Sequence, residues 1–354
     1  MMKRAKRRSF LVVAAAAALA WGVLPKGGAS VQVSSAQADT VRMLIPGGQA
    51  VGVALKTQGV LVISRMSRQE TKTPLRVGDV IFAVQGEAIT SAQELSQRIA
   101  QAEVDNVELS VLRNGRAITL KAAAPVSSVD GRRRLGVWVR DSTAGVGTLS
   151  YVDPKTQAYG ALGHAIVDGD TGDMLSVLDG AIMTADVVGV TRGESGQAGE
   201  LKGSFLKEGR QIGTLALNSA YGIYGRMEEP VEDLLYPQGL PLGEREQVHA
   251  GKATIISTVD EQGPQEYEVE ILRCFDQDKP SQKGMILRVT DQRLLEKTGG
   301  IVQGMSGSPI IQDGKLIGAL THVYLSDPTQ GYGMYVEWML EQSDALDMQM
   351  DAAA

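Results

Sequence analysis

Apolar and polar positions alternate in short runs along most of the chain, and this period of two predicts β-strands. Between Arg42 and about Ala123 these runs read AVGVAL, GVLVI, GDVIFAVQG, VELSVL and AITLKA. Asn114-Gly115 joins the last two as a two-residue hairpin turn. The segment TSAQELSQRIAQA instead begins with polar capping residues and places Leu95 and Ile99 four positions apart, which predicts an amphipathic helix. The first part of the chain is therefore expected to form a small module of five or six strands with one principal helix.

A second strand-rich block begins at about Leu135. Its candidate strands are RRLGVWVRD, VGTLSYVD, AYGALGHAIVD, GSFLKEGRQIGTLAL, KATIISTV, EYEVEILRCF and GMILRVTD. They do not alternate with helices, which favours a barrel or a sandwich. The one clear helix, TDQRLLEKTGG, is capped by Thr290 or Asp291 and ends at Gly299-Gly300.

The first residues resemble an export signal. Five Lys and Arg side chains precede the apolar stretch from Phe10 to Leu24. This stretch is as long as the longest signal-peptide cores, about 15 residues. It is shorter than the roughly 20 residues of a membrane-spanning helix. Ala36-Gln37-Ala38 offers a cleavage site but lies far beyond the apolar run, so an uncleaved anchor stays open. We predict that residues 1–38 are a signal peptide or an N-terminal membrane anchor and that the rest is exported.

Length, net charge and cysteine content limit the classes of function that the chain can have. At 354 residues the chain is long enough for two domains, and its net charge of −6 argues against nucleic-acid binding. The one basic run beyond the N-terminus, Arg132 to Arg134, is interpreted as a solvated loop. Cys274 is the only cysteine, so no internal disulfide can form, and its strand context predicts a small buried hydrophobe. We expect neither a metal nor a cofactor.

The stretch GIVQGMSGSPIIQDGKLIG contains a candidate nucleophile, Ser306. A serine protease presents its nucleophile on a sharp turn, where backbone N–H groups converge on the developing oxyanion. Gly304 allows such a turn, so the N–H groups of Gly304 and Ser306 are the candidate oxyanion hole. Gly307 would keep the opposite side of the turn clear, and Ser308 is the weaker nucleophile candidate. The motif alone leaves a glycine-rich structural turn equally open.

Only three histidines could act as the base: His164, His249 and His322. His164 ends an apolar run before an acidic glycine turn, where a side chain can emerge into a cleft. His249 is flanked by charges and is expected at the surface, whereas His322 is expected to pack or to line a pocket. Sequence spacing does not identify the acid that orients the base. Several Asp residues lie between His164 and Ser306: Asp168, Asp170, Asp173, Asp179, Asp260 and Asp291. For Asp291 a helix N-cap is a strong alternative.

The stretch LRVGDVIFAVQGEAITSAQEL resembles PDZ domains. The resemblance implies a PDZ-like peptide-binding domain over residues 41–125, in which a peptide tail adds as a strand beside the helix. It places the loop that holds the peptide carboxylate near residues 47–53, with five peptide-binding residues: Gly47, Gly48, Val51, Gly52 and Val53. The alternative is a packing module without a ligand.

The second block resembles the stage IV sporulation protein B peptidases. The stretches that carry this resemblance are YGALGHAI, LRVTDQRLLEKTGGIVQGMSGSPIIQDGKLIGALTHV and DPTQGYGMYVEWML. It implies a mainly β protein in which the PDZ-like α+β module is followed by a chymotrypsin-like double β-barrel at residues 135–342. It also implies that His164 is the base, Asp291 the orienting acid and Ser306 the nucleophile. Met305 stands where digestive relatives carry an Asp that pairs with a new N-terminus, so that mode of activation is excluded.

The same resemblance implies a biological setting. Such peptidases work between the two membranes of a developing spore and cleave a membrane-anchored inhibitor, so that an intramembrane protease matures a sigma factor. The expected partners are this protein substrate and a peptide C-terminus, or a segment of the chain itself, in the PDZ groove. Two alternatives remain: a PDZ-bearing quality-control protease of the cell envelope, and a non-enzymatic PDZ scaffold.

Overall fold

The alternating runs form β-strands that make up most of the fold. The computed structural model describes residues 41–66, 73–127, 130–205 and 209–353, and the predicted signal peptide or anchor lies outside them. None of the described helices is long and apolar enough to cross a membrane. The first strands are β1 (Met43–Pro46), β2 (Ala50–Arg65), β3 (Val80–Val84), β4 (Glu87–Ala88), β5 (Asn106–Arg113), β6 (Arg116–Ala123), β7 (Val137–Val152), β8 (Ala158–Ala161), β9 (Val177–Thr184), β10 (Asp186–Thr191) and β11 (Glu200–Ser204).

The remaining elements complete the fold towards the C-terminus. The later strands are β12 (Gln211–Thr214), β13 (Leu217–Ser219), β14 (Gly222–Arg226), β15 (Leu240–Pro241), β16 (Gly251–Thr258), β17 (Pro264–Cys274), β18 (Met285–Val289), β19 (Pro309–Gln312), β20 (Lys315–Val323) and β21 (Gln330–Tyr335). The helices are α1 (Ala92–Gln101), α2 (Gln292–Thr298) and α3 (Val336–Ala353), with a short 3-10 helix at Arg245–Gln247.

The C-terminal half is a closed barrel. Its six strands follow the order β16-β17-β18-β21-β20-β19, and β19 pairs back onto β16. Alternate side chains point inward, and fully buried Ile255, Leu287 and Ile310 lie in its core. Met305, the residue directly before the predicted nucleophile, is also buried in this core.

A second, nearly closed barrel comes from the preceding strands. β8, β7, β2, β9 and β12 pair in that order, and β14 pairs with the other edge of β8. A single bridge between Gly213 and Met227 joins β12 to the residue after β14. Its core includes Val51, Leu149 and Ile182. Together with the closed barrel this confirms the predicted mainly β, chymotrypsin-like double barrel.

The PDZ-like module extends from this second barrel. The C-terminal part of β2 pairs with β3, β3 pairs with β5 and β5 with β6, while α1 covers the sheet. The module has its own core around Val60, Ile81, Leu95 and Leu109. Thr90 and Ser91 begin α1 as predicted, because Ser91 Oγ accepts the Glu94 N–H at 3.1 Å.

The module does not begin where the sequence pattern suggested. β1 and the first half of β2 belong to the barrel, because Ala50–Lys56 pair with β7 and β9. The second half of β7 is likewise barrel, while its first residues pair with the end of β2 in the module. The PDZ-like fold is therefore inserted between two barrel strands. The predicted boundaries 41–125 and 135–342 assign all of β2 to the module and all of β7 to the protease domain, although each strand takes part in both folds.

Arg42 connects the start of the described chain to its end. Its guanidinium forms hydrogen bonds of 2.8–3.1 Å with the carboxylates of Asp153, after β7, and Asp344, in α3. The Asp153 side chain is 5% exposed, whereas that of Asp344 is 48% exposed. A buried carboxylate needs a charged or hydrogen-bonding partner, so Asp153 depends on Arg42 more than Asp344 does.

We therefore expect Arg42→Ala to destabilise the protein by about 2 kcal/mol, because it removes the charged partner of buried Asp153. The matched variant Asp344→Asn removes the exposed partner and should cost about 0.5 kcal/mol. Chemical denaturation of both variants measures the difference. Equal losses would contradict the dependence of Asp153 on Arg42.

Candidate active site

The predicted nucleophile lies on a sharp turn between α2 and β19. Gly304 and Gly307 flank it with φ angles of 96° and 100°, a region that favours glycine. A Cβ on Gly307 would approach the Thr148 carbonyl oxygen to 2.1 Å, so only glycine fits there. The Ser306 hydroxyl donates to the Thr321 carbonyl at 2.9 Å and is half-buried.

The amides of this turn divide into two groups. Those of Met305, Gly307 and Ser308 donate to the carbonyls of Val302, Leu320 and Met305. Within the described part of the chain, the N–H groups of Gly304 and Ser306 have no hydrogen-bond partner. Two unpaired amides, one of which is the nucleophile's own, are what an oxyanion hole requires.

Thr148, on β7 of the other barrel, holds the turn in place. Its hydroxyl donates to the Gly304 carbonyl at 2.7 Å, and its N–H donates to the Ser306 carbonyl at 3.1 Å. Thr148 is 1% exposed, so these contacts are shielded from water. These two contacts fix the peptide units on either side of the Met305–Ser306 peptide, which carries the free N–H of Ser306. The sequence contained no signal for this role.

A strained turn at the end of β8 presents His164. Leu162 and Gly163 both adopt left-handed backbone angles, with φ of 69° and 68°. Such a conformation disfavours leucine and is often found at functional sites. Beyond the turn, the Asn218 amide holds the segment through hydrogen bonds to Ile166 N–H, Ile166 C=O and Leu175 C=O, each at 2.8 Å.

The environment of His164 keeps its ring neutral. Burial lowers the pKa of His164, only partly opposed by the backbone carbonyl of Ala165. Nδ1 lies 2.9 Å from that carbonyl oxygen, so the proton of the neutral ring belongs on Nδ1. Nε2 is then the acceptor, the form that a general base needs.

His164 and Ser306 line one cleft between the two barrels. The cleft has a volume of about 610 Å³ and is bordered by β7, the turn after β8, the nucleophile turn and the end of β20. His322 lies in the same cleft, with its ring centroid 5.6 Å from that of His164. This agrees with the predicted pocket-lining position of His322.

Asp291 is not part of this cleft. Its carboxylate caps α2 by accepting the N–H groups of Arg293 and Leu294, and it also accepts the Glu268 N–H. The Arg293 guanidinium lies 2.7 Å from Asp291 Oδ2, and this contact is the main cause of the lowered pKa of Asp291. The structure thus shows the helix cap that the sequence offered as the alternative, and it does not bring Asp291 into contact with His164.

The other candidates also lie outside the cleft. His249 is exposed and pairs with Asp313 at 2.9 Å. Ser308 is fully buried, and its hydroxyl donates to the Met305 carbonyl at 2.7 Å. Four of the remaining Asp residues have basic partners elsewhere: Asp168 and Asp170 with Arg140, Asp179 with Lys56, and Asp260 with Lys297. In the described chain no group of His, Cys, Asp and Glu is arranged to hold a metal ion.

The predicted carboxylate loop at residues 47–53 lies in the barrel and not beside α1. The N–H groups of Gly47 and Gly48 donate to the carbonyls of Ser150 and Leu149, and Val51, Gly52 and Val53 pair with β7 and β9. A Cβ on Gly52 would lie 2.3 Å from the Phe205 ring, so any substitution there would disturb the barrel. This interpretation was wrong because the first apolar run belongs to the barrel and not to the module.

A groove of about 830 Å³ does lie beside α1. One wall is the exposed face of the helix, including Ser96 and Ala100, and the other is formed by residues 132–139. Within the described residues, the N–H groups of Leu135 and Gly136 have no hydrogen-bond partner. Exposed Trp138 also lines the groove. In the sequence, the signal for this groove is Leu135-Gly136 directly before the strand VWV. The prediction had assigned this stretch to the second domain.

Comparison with known families agrees with this geometry. The model of the SpoIVB peptidase S55 family matches residues 131–340, more than half of the chain. The chain belongs to this family. It is a serine endopeptidase. In a separate comparison, no curated protein sequence matches it significantly.

Solved structures resemble each of its two folds. The PDZ domain of an SdrC-like protein from Listeria monocytogenes is 22% identical, with a TM-score of 0.21, and covers 23% of this chain and 87% of that domain. The active form of the Rv3671c protease from M. tuberculosis is 11% identical, with a TM-score of 0.33, and covers 56% and 73% of the two chains. An inactive serine-to-alanine mutant of that protease is 13% identical, with a TM-score of 0.31, and covers 56% and 82%.

The contacts of Thr148 lead to a test of the nucleophile turn. Thr148→Val should lower kcat about 10- to 100-fold with KM unchanged, because the Gly304 carbonyl loses its anchor and the amides lose their alignment. Thr148→Ser keeps the hydroxyl and should stay within about threefold of the parent. Steady-state kinetics on a peptide substrate test this, and equal activity of the two variants would show that the hydroxyl has no such role.

Proposed function

We propose that this serine endopeptidase acts outside the cytoplasm, where it cleaves a membrane-anchored regulator and so triggers intramembrane proteolysis and sigma-factor activation during sporulation. Three features support the proposal: the family, the basic and apolar N-terminal sequence, and a PDZ-like groove close in sequence to the active site. A regulatory protease has to act on one target, and a separate peptide groove adds a second point of selection.

The geometry supports a Ser-His mechanism. Ser306 Oγ exchanges its acceptor, the Thr321 carbonyl, for Nε2 of His164 and attacks the scissile carbonyl carbon. His164 takes the hydroxyl proton and later transfers it to the leaving amine. The free N–H groups of Gly304 and Ser306 stabilise the oxyanion. Water then releases the acyl group by the reverse sequence of proton transfers.

The observation that carries the assignment is that Ser306, with its own unpaired amide and that of Gly304, borders the cleft that also holds His164. A fluorophosphonate probe should label the parent protein at Ser306, as read by peptide mapping. Ser306→Ala should abolish labelling and lower kcat about 10⁶-fold without unfolding the protein. Ser308→Ala is the matched control and should still be labelled. Labelling that persists in Ser306→Ala would refute the assignment.

The groove beside α1 is the proposed site of substrate selection. A peptide can add as a strand along residues 137–139, with its terminal carboxylate on the N–H groups of Leu135 and Gly136. The basic side chains of the preceding residues 132–134 favour this negative end. The proposed ligand is a peptide C-terminus of the substrate or a segment of the chain itself.

Blocking the groove should separate two kinds of substrate. Ala100→Trp places a bulky side chain in the groove, which is separate from the active-site cleft. The variant should therefore cleave a short peptide at the parental rate. It should process its membrane-anchored substrate, identified by trapping on Ser306→Ala, about tenfold more slowly, the effect of one lost hot-spot contact. Lys121→Trp, on exposed β6 outside the groove, is the matched control. Equal processing by both variants would show that the groove does not select substrate.

A further inference from the structure

Two stretches of chain border the place where a substrate residue must lie during the reaction. When Ser306 Oγ attacks, the carbonyl oxygen of that residue turns towards the N–H groups of Gly304 and Ser306. Its side chain begins two bonds from the carbonyl carbon, so it lies against the parts of the chain that adjoin the turn. These are residues 301–303, which lead into Gly304, and residues 321–325, whose Thr321 carbonyl is 2.9 Å from Ser306 Oγ.

The side chains of these two stretches that border the cleft are largely apolar. Ile301 and Val302 are buried in the core of the closed barrel, and half-buried Val323 packs against it. Leu325 is 58% exposed, and Val167, which also borders the cleft, is 48% exposed. Neither of these last two side chains is covered by the protein. Apolar side chains that remain exposed around one cleft favour an apolar ligand.

The cleft offers no ionic partner to a charged substrate side chain. Of the described residues that border it, none is Lys, Arg, Asp or Glu. Lys283, which lies near His322, does not border the cleft, and its ammonium group lies over the ring of Tyr332 at 4.7 Å. Burying a charge without a partner costs free energy. An aliphatic side chain instead gains free energy when it leaves water.

The two histidines show that charge is poorly solvated in this cleft. Burial is the largest cause of the lowered pKa of both His164 and His322. The same environment would disfavour a carboxylate or an ammonium group on a bound substrate.

We propose that the cleft binds an apolar side chain on the substrate residue whose carbonyl carbon Ser306 attacks, and that Val323 and Leu325 determine this preference. The proposal rests on the proposed function and specifies the class of its substrate. The Oγ–carbon bond forms, the peptide C–N bond breaks, and the hydroxyl proton passes through His164 to the leaving amine. The bond that is cleaved therefore follows an apolar residue such as leucine.

Peptidyl phosphonate diphenyl esters measure this preference without knowledge of the natural substrate, because they react with the serine and carry the side chain in question. Four esters differ only in that side chain: leucine, asparagine, aspartate or lysine. Leucine and asparagine are similar in shape, so they separate polarity from size. We expect the leucine ester to label Ser306 about tenfold faster than the asparagine ester and about 100-fold faster than the two charged esters. Mass spectrometry of the full chain measures the labelling rates.

A carboxylate introduced into the cleft should change the order of these rates. In Leu325→Asp and Val323→Asp, the lysine ester should react about tenfold faster than with the parent, and the leucine ester more slowly. Each rate is divided by that of an alkyl fluorophosphonate, which has no amino-acid side chain, so a general change in Ser306 reactivity cancels. Leu235→Asp, at an exposed leucine outside the cleft, is the matched control and should keep the parental ratios.

The exposed position of Leu325 keeps the test valid even if Val323→Asp does not fold. The proposal is overturned if the parent reacts equally fast with all four esters, or fastest with a charged one. It is also overturned if Leu325→Asp keeps the same ratios as Leu235→Asp. A parent protein that the fluorophosphonate does not label would instead refute the assignment of Ser306, and with it the proposed function.

Discussion

The antiparallel pairing of β2 with β7 is the constraint on which the rest of the structure depends. Both strands are 16 residues long, and their register runs from Ala50 opposite Thr148 to Arg65 opposite Val137. One end of the pair belongs to the barrel and the other to the PDZ-like module. Because backbone hydrogen bonds hold the pair along its length, the two folds share a structural element and are not joined by a flexible linker.

The register of this pair is interrupted where the two folds meet. Lys56 lies opposite Ser142, but the next pair is Leu61 with Arg140, so β2 has extra residues at this point. Thr57 stabilises the irregularity by donating to the carbonyls of Gly59 and Asp141. The Asp141 carboxylate in turn accepts the N–H of Ala92, at the start of α1. A bulge bends a strand, which lets one strand pair serve two separate cores.

The same strand borders both candidate sites. Residues 137–139 of β7 line the groove beside α1, residues 143–147 line the active-site cleft, and Thr148 anchors the nucleophile turn. The chemistry is therefore assembled across two barrels. The closed barrel provides Ser306, whereas the other barrel provides His164 and Thr148, which contacts the nucleophile turn. Neither barrel alone contains a complete site.

The sequence by itself determined the local features. Period-two alternation predicted the strands, the Thr90/Ser91 cap predicted α1, and the glycines around Ser306 predicted a turn that only glycine can form, because these signals depend on backbone sterics and near neighbours. The tertiary structure decided what depends on long-range pairing. The run AVGVAL could belong to either fold, and only its pairing with β7 and β9 assigned it to the barrel. Asp291 likewise fits a helix cap or a triad by sequence, and the structure shows the cap through its contacts with Arg293 and Glu268, since no local pattern encodes which side chains meet across a cleft.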